Sequence, residues 1–162
     1  MEIMTKYFGK LCFDESEVLN FENGLFGFEA YKKFSLIRFD NENGNILCLQ
    51  SLEESEIAFP VINPFSFIPD YSPLLNDESL KKLNLNNEKE ALFYNICVIR
   101  PVLKDSTVNL RCPIVVNPES RNAMQVILDN NQYSFKYEFG NMIKEGWCLC
   151  LYYREKKENQ LK

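Results

Sequence analysis

Short apolar runs, rich in aromatic and β-branched residues and broken by clusters of Asn, Asp, Glu and Gly, recur along the chain. That pattern predicts strands near 2–13, 16–21, 32–39, 46–52, 57–62, 91–100, 107–116 and 123–129, with two further strands at 133–139 and 146–153. The breaks carry turn chemistry. Asn41-Glu42-Asn43-Gly44-Asn45 is a hairpin signal, because Asn and Gly tolerate the positive φ of tight hairpin turns. Pro118-Glu119-Ser120-Arg121 makes a second tight connection. Gly24 and Gly27 suit a turn between strands. Eight or more short strands with no regular helices between them predict an all-β, mainly antiparallel, barrel-like single domain.

One short helix interrupts the series. Asn76 is a good N-cap, Asp77 and Glu78 put negative charge on the first turn, and Lys81 and Lys82 follow near the C-terminal end. Leu75 and Leu80 occupy staple positions around the cap, and Leu80 and Leu83 share a face. Phe8, Phe59, Ile62, Val115 and Ile127 are assigned to the core.

The segment Asn63 to Pro73 has three prolines in eleven residues, which forbids a regular ladder. Its aromatics have two readings: they plug one end of the barrel, or part of that surface is presented to a partner, where Phe and Tyr are favoured anchors. Phe65, Phe67, Asp70 and Tyr71 are the candidate contacts in the second reading.

Charge narrows the function classes. The 162 residues carry 18 Lys and Arg against 23 Asp and Glu, for a net charge of −5. This balance argues against a sequence-independent nucleic-acid binder, whose affinity comes from cations on phosphates. Residues 12–57 alone hold 10 acidic and 3 basic side chains. Such a run is either a solvated face or a surface that steers a basic partner, and Glu53, Glu54 and Glu56 are the steering candidates. Residues 131–162 reverse the sign, with 4 acidic and 6 basic side chains.

Catalytic chemistry finds little support. Histidine is absent, which removes every imidazole base, shuttle or ligand. No phosphate loop, EF-hand pattern or nucleophile–base pair is legible, and no cofactor is called for. Cysteines at 12, 48, 97, 112, 148 and 150 include no C-x-x-C pair and read as thiols in a reducing compartment. The N-terminus lacks the basic and apolar regions of a secretory signal, and the longest apolar run, Trp147 to Tyr153, is far too short to span a bilayer. A cytoplasmic protein is expected. Two alternatives remain open: a cysteine-based metal or redox protein, and a β-barrel holding a small ligand.

Several segments, in order, resemble the flagellar assembly factor FliW family over roughly residues 1–135. Ile3-Met4-Thr5-Lys6-Tyr7-Phe8-Gly9 is similar to its first strand, and Phe21-Glu22-Asn23-Gly24-Leu25-Phe26-Gly27-Phe28-Glu29 resembles its F-P-E-G-L-P-G-F-E segment. Leu49-Gln50-Ser51-Leu52, Ala58-Phe59-Pro60-Val61-Ile62-Asn63-Pro64-Phe65 and Pro69-Asp70-Tyr71 resemble its L-Q-S, A-F, I-D-P-F and P-D-Y words. Pro113-Ile114-Val115-Val116-Asn117-Pro118, Gln125-Val126-Ile127-Leu128 and Tyr133-Ser134 resemble its P-I-V-I-N, Q-V-I-L and Y-S ending. Departures are specific: Glu22 and Phe26 replace prolines, Asn23 replaces a Glu, and Arg111-Cys112 stands where Leu-Ala is usual. After Ser134 the T-R-H-P-L ending gives way to Phe135-Lys136-Tyr137, so 136–162 is read as an extension with one more strand and a polar tail.

The resemblance implies a non-enzymatic protein, monomeric when free, that binds flagellin and the RNA-binding translational repressor CsrA, with no nucleic-acid or membrane partner of its own. Flagellin secretion frees the factor to capture CsrA away from its RNA groove and relieve repression of flagellin translation. Antagonism of that kind is a coupling free energy, typically about 1–3 kcal/mol.

Overall fold

Strands whose side chains alternate between inward and outward faces pair edge to edge into a closed barrel. The computed structural model describes residues 1–39, 45–129 and 131–144. Its strands are β1 (Glu2–Thr5), β2 (Gly9–Cys12), β3 (Leu19–Phe21), β4 (Lys33–Arg38), β5 (Ile46–Ser51) and β6 (Ala58–Ile62), then β7 (Leu92–Val98), β8 (Thr107–Val108), β9 (Ile114–Val116), β10 (Asn122–Gln125) and β11 (Tyr137–Glu138). Two short α-helices, α1 (Asp77–Lys82) and α2 (Phe139–Lys144), and four 3-10 turns complete the described elements.

Strands pair in the order β7-β6-β5-β4-β3-β10-β9, and β9 returns to β7, so seven strands form a closed ring. All contacts in the ring are antiparallel except β3–β10, which is parallel and joins Asn20 to Asn122 and Phe21 to Ala123. The second edge of β7 is shared: Leu92–Tyr94 pair with β9, whereas Cys97 and Val98 pair with β8, which carries β11 beyond it.

The ring interior is filled by Leu19, Phe21, Phe34, Leu49, Val61, Ile114 and Val116. Phe21 and Phe34 meet edge to face at 5.1 Å between ring centroids. The side chains between these positions point outward and are covered by three additions. The β1–β2 hairpin and the turn after it pack Phe13 and Val18 with Leu52 and Ile37. The helix α1 and its flanks set Leu75, Leu83 and Leu85 against Phe93, Val115 and Val126. The 64–71 segment, β8, β11 and α2 bring Phe67, Tyr71, Val108, Phe139 and Met142 onto Ile62 and Cys97. Residues 137–142 therefore pack in the same core as Ile62 and Leu128.

Local signals were accurate where hydrogen bonds are local. Asn76 caps α1, its side chain accepting from Ser79 N–H at 2.9 Å. At the β9–β10 turn Asn117 Oδ1 accepts from Glu119 N and Ser120 N, and Arg121 takes φ 62°. The hairpin signal at 41–45 falls largely outside the described residues, although β4 and β5 pair antiparallel from Phe34–Ser51 to Arg38–Leu47.

Several expectations are corrected. The 2–13 run is two strands hinged at residues 6–8, and 15–17 is a 3-10 turn ahead of β3. The 107–116 run divides between β8 and β9, and the 133–139 run contributes only β11 before turning into α2, a second helix where one was expected. Within the core list, Ile62 and Val115 are buried, and Phe8 and Phe59 are half-buried. Ile127 is 53% exposed, because Val126 and Leu128 on either side take the buried positions and alternation turns Ile127 outward. The expected strand at 146–153 lies outside the described residues.

Candidate partner-binding surface

The acidic turn between β5 and β6 is held from beneath by Gln50, which is fully buried. Its Nε2 donates to the carbonyls of Ser51 (3.0 Å), Ser55 (3.1 Å) and Ile57 (3.2 Å), and its Oε1 accepts from Lys6 N (3.0 Å). One side chain thus ties the 51–57 turn to the end of β1. Ser51 Oγ accepts from the amides of Glu53 and Glu54, which fixes the start of the turn. Glu53 and Glu56 are exposed and Glu54 is half-buried. The Glu53 carboxylate accepts from Lys33 N at 2.9 Å and from Lys32 N, so it also anchors the start of β4. Glu54 Oε1 accepts from Glu56 N at 3.3 Å. Among the described residues none of the three carboxylates forms a salt bridge. The turn presents negative charge on a rigid frame.

The proline-rich segment divides its four candidates. Asn63 Oδ1 accepts from Phe65 N and opens a 3-10 turn over Pro64–Ser66. That turn sends Phe67 inward, fully buried, and Tyr71 follows it. Tyr71 Oη donates to the Leu110 carbonyl at 2.8 Å, and its ring meets Tyr133 edge to face at 4.7 Å. Burial pushes the Tyr71 phenol up from its ordinary pKa. Phe65 and Asp70 stay exposed, Phe65 at 43%. The Phe65 ring leans on Tyr71 at 5.8 Å and on Phe93 at 5.7 Å, in the lining of a shallow depression of about 260 Å³ to which Pro73, Glu88, Lys89 and Ala91 also contribute.

Exposed aromatics elsewhere escaped the sequence reading. Phe26 and Phe28 project from the glycine turn, and Phe28 stacks edge to face on Phe59 at 4.9 Å. The signal was present: Phe26 stands where the resemblance expects proline. Tyr7 is half-exposed beside Phe8 and Phe39.

The thiols offer less. Cys48, Cys97 and Cys112 are buried, and burial pushes all three up in pKa, Cys48 to about 11, which suppresses the reactive thiolate. Among the described residues no group of three or more Cys, Asp or Glu is placed to hold a metal, and no helix is long and apolar enough to cross a membrane.

The model of the FliW protein family matches residues 2–139. The chain belongs to the FliW family. It is 39% identical over 137 residues to the flagellar assembly factor FliW of Clostridium tetani (strain Massachusetts / E88), covering 85% of this chain and 94% of the relative. With the protein of the same name from Thermotoga neapolitana it shares 39% identity over 130 residues, covering 80% and 87% of the two chains. A crystal structure of the flagellar assembly factor FliW superposes with a TM-score of 0.79 at 34% identity, covering 85% of this chain and 96% of that one. FliW relatives are thus named for assembly rather than for catalysis, and the closed barrel with short helices is the architecture this chain shares with them.

Proposed function

We propose that this FliW-family chain is a non-catalytic, cytoplasmic regulator that binds flagellin and, when flagellin is withdrawn, binds the translational repressor CsrA and relieves repression of flagellin synthesis. The observation that carries this reading is the family match along residues 2–139. The surface supports it physically. An acidic turn on a rigid frame suits steering of a basic partner, and the segment that follows β6 exposes both an aromatic, Phe65, and a carboxylate, Asp70. Phe67 and Tyr71 act beneath them by holding the segment in place.

The test is calorimetric titration of the protein with flagellin and with CsrA from the same organism, at two salt concentrations. Binding to both, with one displacing the other, is expected. Silence with both, from folded proteins, overturns the assignment. Glu54→Lys with Glu56→Lys is expected to slow association at low salt, with a deficit that shrinks as salt rises. Phe65→Ala is expected to raise Kd without a matching change in association rate.

A further inference from the structure

The β1–β2 hairpin is a two-stranded sheet separate from the barrel ring. Its hydrogen-bonding phase follows from one pair: Phe13 N donates to Met1 O at 2.7 Å, and the Met1 amino group donates to Phe13 O at 2.8 Å. In an antiparallel ladder bonded and non-bonded pairs alternate. With the register Glu2–Cys12, Ile3–Leu11, Met4–Lys10 and Thr5–Gly9, Ile3 and Thr5 bond inward to β2. The N–H and C=O of Glu2 and Met4 therefore point away from the hairpin, along an edge of β1 that no other strand pairs with among the described residues. That edge borders a groove of about 260 Å³ lined by Ile3, Met4, Leu52, Glu53, Glu54 and Ser55.

We propose that the open edge of β1 is a strand-addition site for an extended partner segment that places an apolar side chain over Ile3 and Leu52 and a Lys or Arg toward Glu53 and Glu54. Backbone bonds to Glu2 and Met4 supply affinity, and the side-chain alternation supplies selectivity. Two features of the site select this occupant. The floor is apolar, and the far wall carries two carboxylates that form no salt bridge among the described residues. Gln50 holds wall and edge together, since it bonds both the 51–57 turn and Lys6 N, so the groove is formed before anything enters it.

This inference rests on the hairpin's backbone geometry and the adjoining carboxylates; it shares the acidic turn with the surface proposed above but does not depend on which partners bind there. The probe is a synthetic eight-residue peptide of alternating Lys and Val, followed by amide chemical shifts in the full-length protein. A Glu–Val peptide serves as the control. The Lys–Val peptide is expected to move the Glu2 and Met4 amides saturably and with salt sensitivity, and the Glu–Val peptide to leave them in place. Met4→Pro removes one outward N–H and no bond within the hairpin, so it is expected to weaken the peptide about tenfold, whereas Met4→Ala changes it less than threefold. Should Met4→Pro disturb the hairpin itself, Glu54→Lys supplies the second reading: it is expected to weaken the Lys–Val peptide and to admit the Glu–Val one. Equal affinity in all variants, or shifts centred elsewhere, overturns the proposal. So do concentration-dependent shifts of the same amides without peptide, which would assign the edge to a second copy of the chain. Silence toward flagellin and CsrA with the peptide still seated on β1 removes the partners and keeps the edge; the converse result does the opposite.

Discussion

Tyr71→Phe separates packing from contact within the proline-rich segment. The ring stays in its cluster with Phe67, Val108 and Leu110, so the change removes one hydroxyl and little apolar surface. The hydroxyl donates to Leu110 O at 2.8 Å and sits 3.5 Å from Asn95 Nδ2, which retains a 2.6 Å bond to Asn109 O. The substitution therefore leaves the Leu110 carbonyl without its Tyr71 donor, while Asn95 keeps its stronger partner. Orphaning a buried acceptor costs about 1–3 kcal/mol. In a chain of this size each kcal/mol moves Tm by about 2–4 °C, which sets an expected drop of roughly 2–12 °C. Differential scanning calorimetry reads the stability, and titration with flagellin and CsrA reads binding, with Kd expected to change less than threefold. A Tm within about 1 °C of the parent would refute the hydrogen-bond argument. A preserved Tm with a large loss of affinity would return Tyr71 to the contact surface.

Three further outcomes are expected. Gly24→Ala forces φ +69° on a residue with a Cβ and sets that atom 2.7–2.9 Å from the backbone of Phe28 and Glu29, whereas Gly27→Ala at φ +81° meets open space. Denaturant titration should show Gly27→Ala costing about 1–2 kcal/mol and Gly24→Ala clearly more. Gln50→Leu removes the Nε2 that donates to the carbonyls of the 51–57 turn and the acceptor for Lys6 N, and should cost about 2–4 kcal/mol and speed amide exchange at Lys6, and an unchanged Lys6 rate would refute its linking role. Stability should fall above pH 9. The folded state holds the Cys48 proton to about pH 11 while the unfolded thiol releases it near its ordinary value of 9, so between those limits each pH unit costs about 1.4 kcal/mol. That contribution is fully present below the unfolded pKa, and Cys48→Ala should make the decline of Tm from pH 9 to 10.5 shallower by it, leaving the part that the raised Cys97 and Cys112 thiols supply.

What could be read before the structure was set by interactions between near neighbours. The cap at Asn76, the β9–β10 turn at Asn117–Arg121 and the positive φ at Gly24 are each decided within a few residues, so residue type alone foretold them. The strands of the ring were legible because one face of each is packed inside. The 133–139 run misled because aromatic content resembles a strand, whereas Phe139 and Met142 are recruited as a helical turn by the core around Ile62 and Cys97. The proline-rich segment has no period from which to read faces, and only the Asn63-capped turn decides that Phe65 points out while Phe67 and Tyr71 point in.

The sequence by itself determined an acidic, His-free, mainly antiparallel β protein with one well-capped helix, and its ordered words placed it in the FliW family. Tertiary structure decided the rest. The parallel β3–β10 contact joins residues about a hundred positions apart, and no local signal encodes the choice of that partner. The same holds for Gln50: a buried amide satisfied by Lys6 and the 51–57 turn reads in sequence as one more polar residue in a strand. Burial of a polar group depends on partners brought by the whole fold, and it is this long-range satisfaction that sets the acidic wall beside the open edge of β1.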